Sequence, residues 1–488
     1  MDDRLTAWLS LASVVGLIVV DLVVRVAALI IVPRNRRPQT AMAWLLAIFF
    51  IPYLGILLFL VFGSARLPKH RRRKQHEVNE YIRETTEGMD LVEESPDWPP
   101  WLRPIVELNR TLGAMPLVGG NSARMWADNQ EAFDAMTEAV ARAKRVVHVE
   151  FYILSLDETT RPFFEALADA RRRGVKVRVL LDHLGNWQYP GFRRTKRFLD
   201  AAGVDWHLML PLQPFKGRFQ RPDLRNHRKL LVVDGEVGFT GSINMIEPPY
   251  QKAKNHRRGL HWKDYWVRFE GPVVAGIDAI FVTDWYCETD ELLMREVGPI
   301  REGDGHLDCQ VVPSGPGFSV ENNLRLFNSL VHNAQHRIVL VSPYFVPDDS
   351  MLYAVTTAAQ RGLHVELFVS EIGDQFMVYH AQRSYYESLL KAGVRIYLYP
   401  APTILHAKHM TFDDEVAIIG SSNMDMRSFT LDLEISVMIH GESFLAGLRE
   451  VEDSYRAVSR ELTLEEWSER PRAVRVVDNL MRLTAGLQ

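Results

Sequence analysis

The sequence is poor in cysteine, with Cys287 and Cys309 alone in 488 residues. Two thiols cannot build a disulfide framework or the thiolate ligands of a structural zinc site, and they suit a reducing compartment. An excess of charge of one sign is also missing. Charged residues make up 24% of the chain and the formal net charge is −4, so bulk charge predicts no nucleic-acid partner. The length allows two or three domains.

Long apolar runs are present near the start of the chain. Residues 7–32 are apolar except for Asp21, Arg25 and a few small polar residues, and residues 41–63 carry no charge. A helix needs about 20 apolar residues to cross a bilayer, so each run predicts one spanning helix, the second despite Pro52. Asp21 and Arg25 lie four residues apart, where they can neutralise each other. A cleaved signal peptide is the weaker interpretation, because the start of the chain has no basic leader.

Basic residues predict how this two-helix anchor is oriented. Six of them lie between residues 66 and 74 and Arg4 precedes the first run, whereas Arg34, Arg36 and Arg37 lie in the connection. Basic residues favour the cytoplasmic side of a membrane, so these seven residues place the N-terminus and the large C-terminal part in the cytoplasm. The three arginines in the connection are evidence for the opposite orientation. The basic residues 71–74 are interpreted either as a stop-transfer signal or as a contact with anionic lipid.

The rest of the chain contains an internal repeat. Residues 145–154 (RVVHVEFYIL) resemble residues 337–346 (RIVLVSPYFV), and residues 174–182 (GVKVRVLLD) resemble residues 362–370 (GLHVELFVS). Both pairs predict buried strands, because they are rich in β-branched and apolar residues. Helical patterns separate the strands in the same order in each half. This order predicts a duplicated α/β domain with largely parallel strands and right-handed crossovers.

A longer motif follows these elements in each half. His-x-Lys, four residues, Asp, six residues and Gly-Ser-x-Asn occurs at residues 227–244 and again at residues 406–423. Side chains alternate along a strand, so the histidine and the lysine of each motif point the same way. If the halves pack about a pseudo-two-fold axis, two imidazoles, two ammonium groups and two asparagines converge. Such a pocket fits a phosphodiester, with one histidine attacking phosphorus and the other protonating the leaving alkoxide.

Two other interpretations of the motif are weaker. A purely structural motif does not explain two copies with identical spacing inside a larger repeat. A metal site would use histidine and aspartate, but an ammonium group beside each histidine repels a cation. We therefore predict neither a metal nor a cofactor.

These motifs resemble those of the phospholipase D superfamily, and residues 37–63 narrow the resemblance to the bacterial cardiolipin synthases. The resemblance implies an α/β fold of two tandem phospholipase D-like sandwich domains with pseudo-two-fold symmetry, preceded by a transmembrane helical hairpin. The expected boundaries are residues 1–65 for the anchor, 66–115 for a basic and polar linker, 116–303 for the first domain and 304–488 for the second.

The resemblance also implies roles for individual residues. The residues expected to form the catalytic motifs are His227, Lys229, Asp234, His406, Lys408 and Asp413. Those expected to bind substrate are Asn244, Asn423, Ser242 and Ser421, and those expected to orient the histidines are Asp264 and Glu434. His227 is the expected nucleophile and His406 the expected general acid, while the two motif aspartates are expected to hold the local fold. The segment RSFTLD places Asp432 near Glu434, and either carboxylate is a candidate partner of His406.

The implied reaction joins two phosphatidylglycerol molecules into cardiolipin and glycerol through a covalent phosphohistidine, at a bacterial inner membrane. Transfer to a lipid alcohol requires a site where water is limited. The same histidines also suit a lipid hydrolase, another phosphatidyltransferase or a nuclease, and phosphatidylethanolamine is an alternative second donor. The apolar hairpin disfavours a nuclease, and the intact motifs disfavour an inactive membrane scaffold. The sequence predicts neither protein partners nor an oligomeric state.

Overall fold

The computed structural model describes residues 3–485, except residues 35, 64–66, 87–97, 214, 216–217, 294–302 and 319–320. The chain forms two compact units, residues 1–66 and residues 67–488.

The first unit consists of apolar helices. Among its described residues these are α1 (Asp3–Ile31), α2 (Pro38–Phe50) and α3 (Pro52–Phe62). The Ser13–Ile31 part of α1 is long and apolar enough to cross a membrane. Arg25 Nε and Asp21 Oδ2 lie 2.7 Å apart on this helix. The helix predicted over the first apolar run is therefore confirmed.

The second apolar run does not form one bent helix, so that prediction is wrong. Pro52 lacks an amide hydrogen and its ring obstructs a continuous helix, and the chain reverses at Ile51. The rings of Trp44 and Phe59 meet edge to face with their centroids 5.5 Å apart, whereas a straight helix would separate them by about 22 Å. With 13 and 11 residues, neither α2 nor α3 reaches across a hydrocarbon core of about 30 Å.

Arg36 joins the two ends of this short hairpin. Its guanidinium donates to the Gly63 carbonyl, at 3.0 Å from Nε and 2.7 Å from Nη2. It also donates from Nη1 to the Val32 carbonyl at 2.7 Å. The connection after α1 and the end of α3 therefore lie together.

The second unit is an α/β structure. Its helices are α4 (Lys69–Thr85), α5 (Leu102–Gly113), α6 (Asn129–Ala141), α7 (Arg161–Arg172), α8 (His183–Trp187), α9 (Phe192–Ala201), α10 (Ala253–Arg257), α11 (Val273–Thr289), α12 (Asn322–Asn333), α13 (Asp349–Gln360), α14 (Phe376–Arg383), α15 (Tyr386–Ala392), α16 (Met426–Thr430), α17 (Glu442–Val458), α18 (Leu464–Ser468) and α19 (Arg472–Arg482). The strands of its first half are β1 (Leu117–Trp126), β2 (Val146–Phe151), β3 (Lys176–Asp182), β4 (Asp205–Met209), β5 (Leu212–Gln213), β6 (Arg218–Phe219), β7 (Lys229–Val233), β8 (Val237–Gly241), β9 (His261–Lys263) and β10 (Trp266–Glu270). The strands of its second half are β11 (Leu307–Ser314), β12 (Arg337–Val341), β13 (Phe345–Val346), β14 (His364–Ser370), β15 (Arg395–Tyr399), β16 (Thr403–Leu405), β17 (His409–Phe412), β18 (Val416–Gly420), β19 (Met424–Asp425), β20 (Glu434–His440) and β21 (Arg460–Leu462).

One large sheet runs through both halves of this unit. From the centre outward, the first half has the order β1-β10-β8-β7-β2-β3-β4, and the second has β11-β20-β18-β17-β12-β14-β15 with β21 at its edge. The halves join where Leu117 and Val118 of β1 pair antiparallel with Gln310 and Cys309 of β11. The matching orders confirm the duplicated α/β architecture.

The prediction of largely parallel pairing holds only for the outer strands. Strands β2, β3 and β4 are parallel, as are β12, β14 and β15. The motif strands β7 and β17 pair antiparallel with both of their neighbours. A tight turn joins each motif strand to the next strand, and two strands joined in this way can pair only antiparallel.

Part of the predicted linker packs on the second unit. Leu102 of α5 is buried in the apolar core of the second half. In α4, Arg71 pairs with Glu288. Lys74 Nζ lies 2.6 Å from Asp290 Oδ1. Arg71 and Lys74 are therefore buried against protein, and for these two residues the interpretation as a lipid contact is wrong.

Candidate active site

The two motifs occupy equivalent places in the two halves. Lys229 begins β7 and Lys408 immediately precedes β17, and the motif histidine stands two residues earlier in each case. Lys229 Nζ donates to the His227 carbonyl at 2.5 Å, and Lys408 Nζ donates to the His406 carbonyl at 2.7 Å. Each half therefore presents an imidazole and a buried ammonium group at the start of its motif strand.

Each motif is attached through its backbone to the opposite half. The His227 amide donates to the Leu433 carbonyl at 2.8 Å, next to a bridge between Asn226 and Leu433. The His406 amide donates to the Lys263 carbonyl at 2.7 Å, where β16 runs parallel to β9. These contacts bring the two motifs together at the junction of the halves.

The carboxylate partners of the histidines are exchanged between the halves. His227 Nδ1 lies 3.0 Å from Glu434 Oε1, and His406 Nδ1 lies 2.6 Å from Asp264 Oδ1. A carboxylate facing Nδ1 makes that nitrogen the hydrogen-bond donor and leaves the lone pair on Nε2. Each half therefore orients the reactive nitrogen of the other.

The expectation that Asp432 or Glu434 serves His406 is wrong. Glu434 contacts His227, and Asp432 Oδ1 instead accepts from Arg427 Nη2 at 3.0 Å. Both carboxylates lie in the same half as His406, and spacing within one half cannot reveal a partner supplied by the other.

The motif serines hold the two carboxylates in place. Ser242 Oγ donates to Asp264 Oδ1 at 2.8 Å, and Ser421 Oγ donates to Glu434 Oε2 at 2.5 Å. Ser428 donates to Glu434 Oε1 at 2.8 Å, and its place in the segment RSFTLD is the sequence signal that points to it. The two motif serines, expected to bind substrate, therefore contact the carboxylates and orient the histidines through them.

The motif asparagines are buried and have unused hydrogen-bonding capacity. Asn244 Nδ2 donates to Tyr250 Oη at 2.9 Å. Within the described part of the chain, the buried Oδ1 atoms of Asn244 and Asn423 have no hydrogen-bond partner. A half-turn of the Asn244 amide would let Tyr250 donate to Oδ1 and would present Nδ2 to an anion. A phosphoryl oxygen is a ligand that this arrangement can bind.

The motif aspartates lie at the far ends of the motif strands. Asp413 accepts from the amides of residues 335–337 at 2.8–2.9 Å, and Asp234 accepts from the amides of residues 144–146 at 2.7–2.9 Å. Five residues of strand separate each aspartate from its lysine, which is about 16 Å. The structure thus places both aspartates where they bind backbone rather than beside the histidines.

Burial lowers the pKa of both lysines, and both lysines act on both histidines. Burial lowers the pKa of Lys408 to about 7, with a contribution from Lys229, and burial lowers the pKa of Lys229 to about 8. Burial and both lysines lower the pKa of His406 to about 4 and that of His227 well below its usual range. Because each lysine acts on both histidines, the two motifs form one site.

The two orienting carboxylates differ in charge at neutral pH. Burial raises the pKa of Glu434 to about 7. Burial also acts to raise the pKa of Asp264, but His406 and Lys408 outweigh it and hold that pKa below its ordinary value. His406 therefore faces a full negative charge, whereas His227 faces a carboxyl group that is partly protonated.

Tyrosines that the sequence alone does not single out complete the site. The Tyr152 ring lies 4.9 Å from the His227 ring between centroids, and Lys229 Nζ lies 5.4 Å from the Tyr152 centroid. The Tyr250 ring lies 6.5 Å from the His406 ring. The described residues include no cluster of three or more histidine, cysteine, aspartate or glutamate side chains suited to a metal ion. The site is thus built from imidazoles, ammonium groups, carboxylates and aromatic rings.

Known proteins resemble this chain over most of its length. The family model described as cardiolipin synthase, PLD-like domain, matches residues 136–256 and 328–454, and a phospholipase D-nuclease N-terminal model matches residues 23–64. Cardiolipin synthase A of Proteus mirabilis (strain HI4320) is 32% identical over 457 residues, which cover 91% of this chain and 92% of the relative. Cardiolipin synthase A of Serratia proteamaculans (strain 568) is 32% identical over 92% of this chain and 93% of the relative. Among solved structures, phosphatidylserine synthase from Haemophilus influenzae Rd KW20 aligns with a TM-score of 0.58 and 15% identity, over 78% of this chain and 99% of that one, which shows a shared fold.

Proposed function

This chain belongs to the cardiolipin synthase family of phospholipase D-like proteins, and we propose that it transfers a phosphatidyl group from one phosphatidylglycerol to another. The products are cardiolipin and glycerol. The observation that carries this proposal is the pair of imidazoles, each held by a carboxylate of the opposite half, beside two buried ammonium groups.

The buried lysines explain why the site suits a phosphodiester. Both ammonium groups are buried, which lowers the pKa of each, and Lys229 lowers the pKa of Lys408 further. A phosphodiester anion between them offsets this repulsion and favours their charged forms. The same anion favours protonation of one nearby imidazole, so substrate binding prepares the acid that the reaction needs.

The first step forms a covalent intermediate. Nε2 of a neutral histidine attacks phosphorus, the bond from phosphorus to the glycerol oxygen breaks, and the second histidine donates its Nε2 proton to that oxygen. We assign the attack to His227 and the proton donation to His406. The charged Asp264 favours the imidazolium form of His406, whereas the partly protonated Glu434 leaves His227 neutral.

The second step reverses the direction of proton transfer. A glycerol hydroxyl of the second phosphatidylglycerol gives its proton to His406 Nε2, its oxygen attacks phosphorus, and the bond from phosphorus to His227 breaks. Cardiolipin leaves and His227 returns to its neutral form. Water would give phosphatidic acid instead, so a buried site that limits water favours transfer to the lipid alcohol.

We also propose that the reaction requires no metal ion. Lys229 and Lys408 supply the positive charge that a metal would otherwise bring to the phosphoryl oxygens. Full activity in excess chelator is the expected result, and loss of activity that an added divalent cation restores would contradict it.

We propose that the first unit anchors the chain with α1 as its single crossing. Arg36 and Gly63 are hydrogen-bonded, so the start and the end of the α2–α3 hairpin lie on the same side of the bilayer. The catalytic unit follows on that side, and the N-terminus lies on the other. This arrangement places the three loop arginines with the basic residues that follow α3, which removes their conflict with the positive-inside rule. The catalytic unit is then cytoplasmic, as expected, and the N-terminus is not.

Cysteine labelling tests this arrangement. A cysteine in a tag ahead of Met1 should react with a membrane-impermeant maleimide on intact spheroplasts, and Gln39→Cys should react only after permeabilisation. The unmodified chain controls for labelling of Cys287 and Cys309. The reverse pattern would restore the two-crossing anchor.

Product analysis tests the proposed reaction. The purified protein should convert phosphatidylglycerol in mixed micelles to cardiolipin and free glycerol, with phosphatidic acid as a minor product. Phosphatidic acid as the main product would show a hydrolase. Cardiolipin formed only when phosphatidylethanolamine is added would show that this lipid is the second donor.

A lipid substrate with a p-nitrophenol leaving group tests the two histidine roles. This leaving group departs without protonation, so His406→Ala should still release one equivalent of p-nitrophenol in a burst. His227→Ala should show no burst, because the nucleophile is missing. The opposite result would exchange the two roles.

A further inference from the structure

A cleft lies beside the second motif. The residues that line it include Tyr344, Ser370, Asp374, Gln375, Gln382 and Ile404. The amide of Leu405, the residue before His406, donates to Ser370 Oγ at 2.8 Å. The lining of the cleft is thus hydrogen-bonded to β16, the strand that ends immediately before His406.

The polar groups of the cleft have unused capacity to accept hydrogen bonds. Tyr344 Oη donates to Asp374, at 2.9 Å to Oδ2 and 3.1 Å to Oδ1. Gln375 Nε2 donates to Tyr344 Oη at 2.9 Å. Asp374 and Gln375 are exposed, and a carboxylate offers about four lone-pair positions. Asp374 can therefore accept from at least two further donors.

The cleft reaches the segment that leads into His406, through Ile404 in its lining. Ile404 belongs to a small apolar cluster with Tyr250 and Trp262. Burial raises the pKa of Tyr250, and Asp374 contributes to that rise, so its charge is felt beside His406. A ligand in the cleft would lie next to the histidine to which we assign proton transfer.

The equivalent place in the first half is occupied by protein. Asp182 corresponds to Ser370 in the repeat, and Arg225 Nη1 donates to Asp182 Oδ1 at 3.0 Å. Arg225 thus contacts Asp182 on the His227 side, whereas a cleft lies at the equivalent Ser370 on the His406 side among the described residues.

We propose that this cleft binds the glycerol headgroup, both as the departing alcohol and as the acceptor of the phosphatidyl group. This inference rests on the proposed function. His406 protonates the departing glycerol oxygen and later takes the proton of the incoming hydroxyl, so the glycerol must lie beside it in both steps. Two adjacent hydroxyls can donate to the two oxygens of one carboxylate. The negative charge of Asp374 also keeps a phosphate out of the cleft, which fits a neutral polyol.

Exchange of labelled glycerol into phosphatidylglycerol tests the cleft directly. Asp374→Asn should raise the glycerol concentration for half-maximal exchange about tenfold, as expected when a hydrogen bond to a charged group is lost. It should also raise the yield of phosphatidic acid relative to exchange, because water then competes better. Asp349→Asn, an exposed aspartate at the start of α13, is the matched control and should change neither quantity. Rates are expressed per site titrated by the p-nitrophenol burst.

Each outcome bears on the proposal. An unchanged glycerol dependence in Asp374→Asn would overturn it, and so would a loss confined to phosphatidylethanolamine use, which would assign the cleft to an ammonium group. If Asp374→Asn does not fold, Tyr344→Phe, which removes the hydroxyl that positions Asp374, should weaken glycerol exchange in the same direction. An unmodified chain that shows a burst but makes no cardiolipin would refute the proposed function instead.

Discussion

His227 and His406 are chemically identical side chains placed in different electrostatic surroundings. Both lysines lower the pKa of each histidine, and each histidine directs Nδ1 at a buried carboxylate. They differ in the charge of that carboxylate, because Asp264 is ionised at neutral pH and burial raises the pKa of Glu434 to about 7. In the mechanism that we propose, the acid and the nucleophile are thereby distinguished by their carboxylate partners, because both are histidines.

Asp264→Asn should impair the acid more than Glu434→Gln impairs the nucleophile. Asp264 acts to raise the pKa of His406, so its loss lowers that pKa and moves the alkaline limb of the pH profile to lower pH. We expect the rate to fall by roughly 10²–10⁴-fold, the usual contribution of general acid catalysis. Single-turnover rates measured across neutral pH would show the shift.

Glu434→Gln is the comparison for this variant. A glutamine resembles the protonated glutamate, so the two proteins should differ little below pH 7 and increasingly above it, as the native carboxyl group ionises. Equal losses at every pH would contradict the assignment of different charge states.

Lys408→Met should stabilise the empty protein while abolishing transfer. The pKa of Lys408 falls from 10.5 to about 7 on folding, mainly through burial. Between pH 7 and pH 10.5 the unfolded chain therefore binds more protons than the folded chain, so the contribution of Lys408 makes stability rise with pH over this range. At neutral pH the buried lysine destabilises the fold. Removing it should raise stability by about 2–4 kcal/mol at neutral pH and flatten the rise. Thermal unfolding in detergent at several pH values measures both.

Lys391→Met is the matched control for this stability change. Lys391 is exposed on α15, where it pairs with Glu387 at 2.8 Å, and its replacement should alter stability by less than about 1 kcal/mol. A destabilised Lys408→Met protein would refute the argument that the site stores repulsion for its substrate.

At the scale of elements, the sequence predicts what depends on local pattern and misses what depends on packing. The strands β2, β3, β12 and β14 and both motif strands follow from apolar runs and from the repeat. The exchange of Asp264 and Glu434 does not, because it arises only when the halves meet. The reversal at Pro52 is also missed, because hydropathy shows how long an apolar run is but not whether the run forms one continuous helix. The structural role of the motif aspartates could be predicted in part. Their position in the turn after a strand favours such a role, but the backbone amides that they bind come from another part of the chain.

Asp413→Ala tests that structural role. The Asp413 carboxylate accepts three backbone amides and its residue has φ +50°, so alanine would leave donors without a partner and retain the strained backbone. Stability should fall by about 2–4 kcal/mol. The rate per folded site should stay within about threefold of the parent, because the strand keeps Asp413 about 16 Å from Lys408 and His406 stands two residues further away along the chain. Thermal unfolding combined with burst titration separates the two effects.

Asp414→Ala is the control at the neighbouring position. Asp414 is exposed, and its nearest cation is Arg449 at 3.2 Å. Little change in stability is expected. A large loss of rate in Asp413→Ala at an unchanged number of active sites would show that the motif aspartate takes part in the chemistry.

At the scale of the whole molecule, duplication has produced two halves that are each incomplete. Each histidine takes its backbone partner and its orienting carboxylate from the opposite half. The continuous sheet through β1 and β11 fixes the halves relative to each other. Equivalence ends beyond the motifs, where Arg225 closes one side and the cleft at Asp374 stays open on the other. If the cleft binds glycerol as we propose, this difference places the alcohol on the His406 side of the site.

Because both halves belong to one chain, each molecule should contain a complete site. Mixing purified His227→Ala with purified His406→Ala in the same micelles should therefore restore no cardiolipin synthesis. A site shared between two chains would instead recover up to about a quarter of the activity, since random pairing gives one intact site in such mixtures. Co-expression of the two variants, which allows chains to pair while they fold, should also leave activity at the level of the single variants. Recovery in either experiment would show that the halves exchange between molecules, and the crossed carboxylates would then be contacts between two chains.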